Sequence, residues 1–532
     1  MQHPGGPFKI IAINDWVPEK LKPWIIILFV LVFQFAGGGV YLATLNEVMS
    51  DNALMQEDIL MAGYAALIGT ALTFTIMLRL KLRFISKHIF LFCCSALIAC
   101  NLICLYTTNI FVLVGTCFIA GILRMWATFE CNSTIQLWIT PKRDLSIFFC
   151  FVYLVVQGSI LLSGSAQMYI TFMSTWQYVH WVVIALLLSV MLFVTIAFNS
   201  IRFIPKMPLF GVDWLGMFMW GLSLLCLNFI AVYGEHYDWW DSKEICIASF
   251  FFLALLGLNL LRASFIRHPF IPLPTFRYPV MYLSFIAYVL IDFFIAPSHL
   301  FEEIYLNEIL KYDVHHTITM NWIGFAGVVC ACVFTLFYFA IPKRSYKSTL
   351  LIGFSAIITY LMMMYFLLDY NTSTEVFGLA IFLRNFGYVI IAIVMITSLT
   401  KIPFPHFFQA ISVQAFVSAA SGAAVTGAVL HYWFNHVMTK NFQFLTMGMD
   451  HLNYELHKIP QNHLTETLIH QSMMMSFKEI YGYMIILALI CFALFSLYKY
   501  PYLPKNTFYP KGRTIRKILK REYFSKAKSQ KA

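Results

Sequence analysis

Charged residues are scarce in this chain: Asp, Glu, Lys and Arg together make up 11% of its 532 residues. Hydrophobic residues account for 60%, and the mean hydropathy is +0.75. A soluble chain of this length would divide into several domains. So low a content of charged residues excludes a soluble multidomain protein and indicates a chain that lies within the lipid bilayer.

The motifs of enzymes and metalloproteins are also missing. The sequence contains no nucleophile–base set, no phosphate-binding loop and no metal-ligand motif. Its twelve cysteines lie in or at the edge of apolar runs, and none forms a CxxC pair with ligand-like neighbours. No A-x-A-like site follows the first apolar run, so no cleavable signal sequence is expected. We therefore expect neither an enzyme nor a cofactor.

What the sequence does contain is fourteen long apolar runs. A membrane-spanning helix needs roughly 20 mostly apolar residues, and each run is long enough to cross a bilayer. The runs are residues 23–43, 57–78, 89–107, 110–138, 147–169, 179–199, 213–233, 245–262, 279–300, 318–341, 349–368, 376–399, 406–432 and 480–498. They predict an all-α polytopic membrane protein.

The loops between the runs alternate in charge. Loops after odd-numbered runs are acidic, as in 47–58, 235–241 and 302–313, whereas loops after even-numbered runs are basic, as in 79–87 and 343–347. By the positive-inside rule, both termini are expected in the cytoplasm.

The positive charge of the chain is concentrated at its C-terminus. Residues 499–532 carry eleven Lys and Arg residues and one Glu. A basic segment beside the last span is typical of contact with anionic membrane lipid, so we expect no nucleic-acid partner.

Fourteen spans divide into six, two and six. Arg124 in run 4 and Arg384 in run 12 each follow an apolar residue and a leucine, at matching places in two six-span halves. Transporters are often built from such repeats. We therefore predict a cytoplasmic N-terminal segment (1–22), an N-terminal half (23–207), two inserted helices (208–263), a C-terminal half (264–500) and a basic cytoplasmic tail (501–532).

A long polar connection, 433–479, is expected on the outer side between runs 13 and 14. It contains helix-like stretches such as 461–478, so we expect it to be ordered or to dock on a partner. Six histidines lie in it or at its edge: His431, His436, His451, His457, His463 and His470. Their spacing fits no ligand motif, so no metal is predicted.

Three motifs carry a resemblance to a known family. The first is Asp213-Trp-Leu-Gly216 with the Trp239-Trp240-Asp241 loop, the second is the proline-rich 268–277, and the third is Thr175-Trp176 before run 6. Together they resemble the 14-spanner drug/proton antiporters of the major facilitator superfamily. The resemblance implies the major facilitator fold and multidrug efflux from a bacterial inner membrane. It also implies a periplasmic adaptor and an outer-membrane channel as partners.

The chain departs from that family at several positions. Leu82 and Ile85 replace the aspartate and a glycine of the loop after span 2, while Arg83 and Lys87 remain as candidates for the cytoplasmic gate. Gly37 stands where the family has an aspartate in span 1. The span 5 kink has also lost its proline. Proton coupling therefore cannot be transferred residue by residue.

Ionisable residues within the runs are costly and therefore point to function. Asp292, near the centre of run 9, and Glu130 in run 4 are the candidates for proton coupling, because burial favours a neutral carboxyl group that can take up and release a proton. The alternative is a structural role for Asp292, either paired with Arg384 or capped by Ser and Asn side chains. Arg124 is expected in the cavity, or in a packing pair between helices.

Polar side chains inside the spans complete the candidate site. With Arg124 and Arg384, the predicted cavity residues are Gln34, Gln157, Gln167, Asn321, Asn385 and Gln414. We interpret the chain as a proton-coupled exporter of amphipathic, drug-like compounds, aromatic or cationic in character, that works by alternating access. The alternatives are an importer or facilitator of a specific solute on the same fold, and a non-transporting membrane sensor that signals through the basic tail.

Overall fold

The computed structural model describes residues 10, 12–200, 209, 211–369, 372–447 and 461–498. Within these residues the regular structure is helical, and the one backbone bridge between extended segments joins Ile13 to Phe198. The α-helices are α1 (Lys22–Phe35), α2 (Leu45–Asn52), α3 (Gln56–Arg83), α4 (Ser86–Tyr106), α5 (Ile110–Ile139), α6 (Leu145–Met173), α7 (Gln177–Ala197), α8 (Trp214–Tyr233), α9 (Lys243–Phe265), α10 (Pro279–Ile295), α11 (Pro297–Ile304), α12 (Val314–Thr335), α13 (Tyr346–Leu367), α14 (Thr374–Leu399), α15 (Phe404–Ala415), α16 (Gly422–Thr446) and α17 (Gln461–Leu497).

The helices match the predicted spans. In the described part of the chain, thirteen helices are long and apolar enough to cross a membrane, counting α10–α11 and α15–α16 as one span each. The shorter α1, with 14 residues, occupies the place of the first run. The prediction of an all-α, multi-pass protein is confirmed, and its spans follow the six, two and six order.

The loops gather at two ends of the bundle. At one end Lys343 forms an ion pair with Asp144 over 3.3 Å, and Lys87 donates a hydrogen bond to a carbonyl near the end of α7. We call this end, which carries loops 79–87, 142–143 and 343–347, the basic face. At the other end Asp51 accepts hydrogen bonds from the Trp176 indole and from Gln177 at the start of α7. This end, with loops 47–58 and 235–241, is the acidic face.

The first span is shorter than the sequence predicts. The run 23–43 indicates a continuous helix, but α1 ends at Phe35 and a short 3₁₀ helix and α2 follow. Gly37 and Gly39 have φ of +59° and +91°, which residues with a side chain rarely adopt. A Cβ on Gly38 would lie 2.3 Å from the Ala66 Cβ, so this break allows α1 to approach α3 closely.

The ninth span is longer than predicted. Residues 302–313 are expected in an acidic loop, but helical structure continues through α11 and a π-helical segment, Tyr305–Ile309. This places Glu302 inside the bundle, 5% exposed, rather than on the acidic face. The acidic loop is therefore only a few residues long.

The thirteenth span also continues past its predicted end. A π-helical segment, Phe416–Ala420, joins α15 to α16, and α16 runs on to Thr446. The predicted connection 433–479 is therefore largely helical where it is described, because α17 begins at Gln461. Lys440 forms an ion pair with Glu479 over 3.0 Å, which holds α16 and α17 together near the acidic face.

The two six-helix halves meet along two pairs of helices. α3 packs against α15, and α6 packs against α12. The Ser412 hydroxyl donates a hydrogen bond of 2.7 Å to the Ala71 carbonyl across the first pair. Span 2 packs against span 13, the fifth span of the other half, and span 5 packs against span 10, the second span of the other half. Exchanging the two halves converts one pair into the other, which is the relationship expected of approximate two-fold symmetry.

The inserted helices α8 and α9 pack on each other and contact both halves through α8. The Tyr233 hydroxyl bonds to Asp58 of α3 over 2.5 Å, and Asn228 donates to the Ala420 carbonyl over 2.7 Å. Beyond α8, the Glu235 carboxylate bonds to His431 of α16. The pair therefore lies at the seam between the halves.

Candidate functional site

Asp292 lies in the middle of the membrane-spanning bundle. It is thirteen residues after the first residue of α10, or about 20 Å along the helix axis. Its Oδ2 atom is buried and has no hydrogen-bonding partner among the described residues. A Cβ on Gly422, the first residue of α16, would lie only 2.8 Å from that oxygen. The carboxylate therefore packs directly against the backbone of the thirteenth span.

Two tyrosines lie near this carboxylate, and one of them interacts with a third tyrosine in the other half. Tyr288, one turn before Asp292, and Tyr388 on α14 both interact with it electrostatically. The Tyr288 hydroxyl also interacts with that of Tyr153, which lies on α6 in the other half. Phenol hydroxyls both donate and accept hydrogen bonds. The cluster thus links a central carboxylate of the C-terminal half to a polar group of the N-terminal half.

Arg384 lies in a separate cluster with Glu302. Its guanidinium forms an ion pair with Glu302 Oε2, and the Tyr360 hydroxyl donates a hydrogen bond of 2.8 Å to Oε1. The sequence pattern predicts a loop at residues 302–313, so Glu302 is not among the predicted site residues. Pro297 lies near the end of the predicted run 279–300. Proline is tolerated in the first turn of a helix, so α11 can begin at this residue and the span continues. The one available signal was the apolar character of residues 304–306.

Arg124 lies on α5 and is only partly buried. One turn further along, Thr128 accepts a hydrogen bond of 3.2 Å from Gln34 of α1, so this side of α5 faces α1. Among the described residues, Arg124 has neither an ion-pair partner nor a hydrogen-bonding partner, and no nearby charge compensates its burial. Arg124 and Arg384, which occupy matching places in the two predicted halves, thus have different surroundings.

Glu130 is buried near the basic face. Its Oε1 accepts a hydrogen bond of 2.5 Å from Ser86 and lies 3.5 Å from the Lys81 amine. Lys81 also bonds to Ser133, one turn along α5. The Glu130 carboxylate therefore connects α5 to both ends of the loop between α3 and α4.

The two predicted gate residues flank this cluster. Arg83 is the last residue of α3, and Lys87 lies in the first turn of α4. The Lys87 amine donates a hydrogen bond of 2.8 Å to the Thr195 carbonyl of α7, within the same half. The ion pair that crosses between the halves at this face joins Lys343 to Asp144.

Four other predicted cavity residues lie along the seam of α6, α12 and α14. Asn321 approaches the sulfur of Met168 across that seam at 3.8 Å, and Asn385 donates to the Ile381 carbonyl in its own helix. Gln157 is partly buried and Gln167 is buried, both on α6. The last predicted residue, Gln414, is buried on α15, and its Oε1 has no partner in the described structure.

The histidines give no indication of a metal centre. The residues that the structure describes contain no group of three or more potential ligands. His431 bonds to Glu235, and His451 and His457 lie outside the described residues.

Comparison with solved structures identifies the fold. The chain resembles a mutant of the nucleoside transporter NupG with a TM-score of 0.50 and 13% identity, covering 89% of this chain and 99% of NupG. It resembles the human organic anion transporter MFSD10 (TETRAN) with a TM-score of 0.50 and 10% identity, over 89% of this chain and 99% of that one. No protein-family model and no curated protein matches the sequence. The chain therefore has the fold of the major facilitator transporters.

Proposed function

We propose that this protein is a secondary active transporter that exports amphipathic, drug-like molecules across a bacterial cytoplasmic membrane in exchange for protons. The fold supports transport in general, since the solved structures that share it are a nucleoside transporter and an organic anion transporter. The observation that carries proton coupling is the central Asp292, whose buried Oδ2 has no partner in the described structure.

Asp292 can act as the group that exchanges its proton during transport. A charged carboxylate at mid-membrane is costly, and a proton removes that cost. Protonation converts the carboxylate to a neutral carboxyl group, and release of the same proton on the opposite side restores it. The tyrosines Tyr153 and Tyr288 connect this group to the facing half, so its charge state can influence how the halves pack.

Alternating access then requires the contacts between the halves to break at one face at a time. At the basic face the crossing contact is the ion pair of Lys343 with Asp144. At the acidic face the rings of Phe172 and His315 meet at a centroid distance of 5.1 Å. Movement of the halves about the α3–α15 and α6–α12 pairs would break the contact at one face while the contact at the other face stays closed.

The basic-face latch is proposed to be the Glu130–Lys81–Ser86 cluster, with Arg83 and Lys87 beside it. Lys81 and Ser86 flank the loop between α3 and α4, while Glu130 holds that loop against α5. This arrangement supports a gating role for Glu130 in addition to the proton-coupling role suggested by its sequence.

The extended hairpin of α16 and α17 supports docking of a periplasmic adaptor that leads to an outer-membrane channel. Asn441 donates to Ser476 over 3.0 Å, and Lys440 pairs with Glu479, so the hairpin is braced near the acidic face. Pull-down of the solubilised protein from its native membranes tests this partner. Full export activity without any co-purifying adaptor would argue against it.

The experiment that tests the function measures accumulation of fluorescent amphipathic dyes in efflux-deficient cells that express the protein. We expect lower accumulation than in control cells, and we expect a protonophore or Asp292→Asn to abolish the difference. Lower accumulation in wild type and mutant alike would keep export and reject Asp292 as the coupling group. Higher accumulation would favour an importer, and a phenotype lost on deletion of residues 505–532 without any change in transport would favour a sensor.

A further inference from the structure

We infer that Arg124 is an anion-recognition site, so that the transported molecules carry a carboxylate, sulfonate or phosphate group. This rests on the proposed transport function and specifies its substrate class.

Arg124 faces the interior of the bundle. The lipid-facing side of α5 is marked by the exposed residues Gly115 and Ile119. At 3.6 residues per turn, Arg124 lies about 180° around the helix from Gly115 and about 140° from Ile119. Thr128, on the same side as Arg124, contacts Gln34 of α1. Arg124 therefore lies on the side of α5 that faces α1, and not on the side that Gly115 and Ile119 expose.

The opposing surface of α1 contains no carboxylate. Two turns before Arg124, Cys117 lies within 3.4 Å of a Cβ built on Gly39, and one turn after it Thr128 contacts Gln34. Arg124 is therefore level with residues 35–38, where α1 ends. That stretch reads Phe-Ala-Gly-Gly, so the break supplies space and backbone carbonyls but no compensating charge.

Three of the other buried carboxylates already have partners. Glu130 contacts Lys81 and Ser86, Glu302 is paired with Arg384, and Asp58 accepts a hydrogen bond from Tyr233. Asp292 forms no ion pair in the described structure. Arg124 is thus a partly buried cation with which no described residue forms an ion pair.

An isolated cation in this position is best explained by a ligand that brings the opposite charge. An arginine fork binds two oxygens of a carboxylate, sulfonate or phosphate at once, and such charge-assisted bonds gain strength away from water. The surrounding apolar walls would contact the hydrophobic part of the same molecule. Amphipathic anions fit both features.

The test measures binding of two aromatic probes, carboxyfluorescein and ethidium, to purified protein in detergent by fluorescence anisotropy. We expect wild-type protein to bind the anionic carboxyfluorescein, and Arg124→Gln to bind it about 10- to 100-fold more weakly. Arg124→Lys keeps the charge and should retain part of the affinity. Arg79→Gln, at the basic-face end of α3, is the matched control and should bind as wild type.

The outcomes separate this inference from the proposed function. No binding of carboxyfluorescein to wild type, or equal binding by wild type and Arg124→Gln, overturns the anion site. A parallel loss of ethidium binding in Arg124→Gln would also overturn it, since Arg124 would then support binding irrespective of the charge of the ligand. Binding requires no proton gradient, so selective loss of the anionic probe would support the site even if the protonophore experiment failed.

Discussion

The carboxylate of Glu302 and the guanidinium of Arg384 form an ion pair in the interior of the C-terminal half. Their side chains are 7% and 16% exposed, and Tyr360, itself fully buried, donates a hydrogen bond to the same carboxylate. The pair connects α11 to α14 and so fixes the end of the ninth span against the twelfth. It also accounts for an arginine within an apolar helix.

Removal of one partner of this pair should destabilise the protein strongly. Glu302→Gln leaves the Arg384 charge buried without its counter-ion, and breaking such a pair costs about 3–5 kcal/mol. We expect the melting temperature in detergent, measured by size-exclusion chromatography after heating, to fall by several degrees. A double variant with Arg384→Gln should lose less than the sum of the two single variants.

The matched control for that experiment is the surface pair of Lys311 with Glu466. These side chains lie 3.7 Å apart and are 68% and 54% exposed. Exposed pairs contribute about 0–1 kcal/mol, so Glu466→Gln should melt close to wild type. Equal effects at Glu302 and Glu466 would contradict a structural role for the buried pair.

Gly422 should tolerate no side chain, because of its position against Asp292. A Cβ there would lie 2.8 Å from the Asp292 carboxylate and 1.6 Å from the Val417 carbonyl oxygen. Gly422→Ala should therefore displace the start of α16 and reduce dye export to the level of Asp292→Asn. Gly427→Ala, in the same helix with no atom within 4 Å of its Cβ, is the control and should export normally. Normal export by Gly422→Ala would show that this contact is dispensable.

The spans could be predicted from sequence because their signal is local. Twenty apolar residues suffice to predict a membrane-spanning helix, and the charge of the loops then predicts the direction in which each helix crosses the membrane. Helix ends were less predictable. The break at Gly37 depends on close packing against Ala66, and the extension through Glu302 depends on Arg384, 82 residues later in the chain.

The candidate site likewise contains residues that the local sequence reveals and contacts that depend on distant parts of the chain. Asp292, Arg124 and Arg384 could be selected because a charged residue in an apolar run is conspicuous. Their partners could not be assigned, since pairing depends on how distant helices pack. Glu302 was missed for this reason, and Glu130, selected as a proton carrier, lies in contact with the Lys81 loop.

Loss of the Glu130 carboxylate should loosen the loop between α3 and α4. Glu130→Gln removes the negative charge that Lys81 and Ser86 engage. We expect a cysteine at Ser133 to react several-fold faster with a membrane-impermeant maleimide in this variant than in the wild-type background, with exposed Cys246 and Cys330 replaced by serine. Lys347→Gln is the control, since Lys347 lies at the same face but donates to the Ser496 carbonyl of α17, in the other half. Unchanged labelling in Glu130→Gln would show that the cluster does not hold the loop.

Lys401 should be an unusually reactive amine. It lies in the turn between α14 and α15, outside the spans, with its Nζ 4.1 Å from the centre of the Tyr346 ring. Burial lowers the pKa of Lys401 to about 8, whereas a free lysine side chain titrates near ~10.4. At neutral pH the fraction of neutral, nucleophilic amine is therefore on the order of 100-fold larger than for a free lysine.

The pH dependence of Lys401 follows from the sign of this shift. Between pH 8 and about 10.4 the folded protein binds fewer protons at Lys401 than the unfolded chain, so the cost of burying the charged amine is progressively relieved and the stability of the fold increases with pH across that window. We expect acylation of Lys401 by an N-hydroxysuccinimide ester, followed by mass spectrometry, to reach half its maximal rate near pH 8. N-acetyl-lysine methylamide in the same mixture should reach that point about two pH units higher. Coincident profiles would mean that the amine is fully hydrated and that the contact with Tyr346 does not persist in solution.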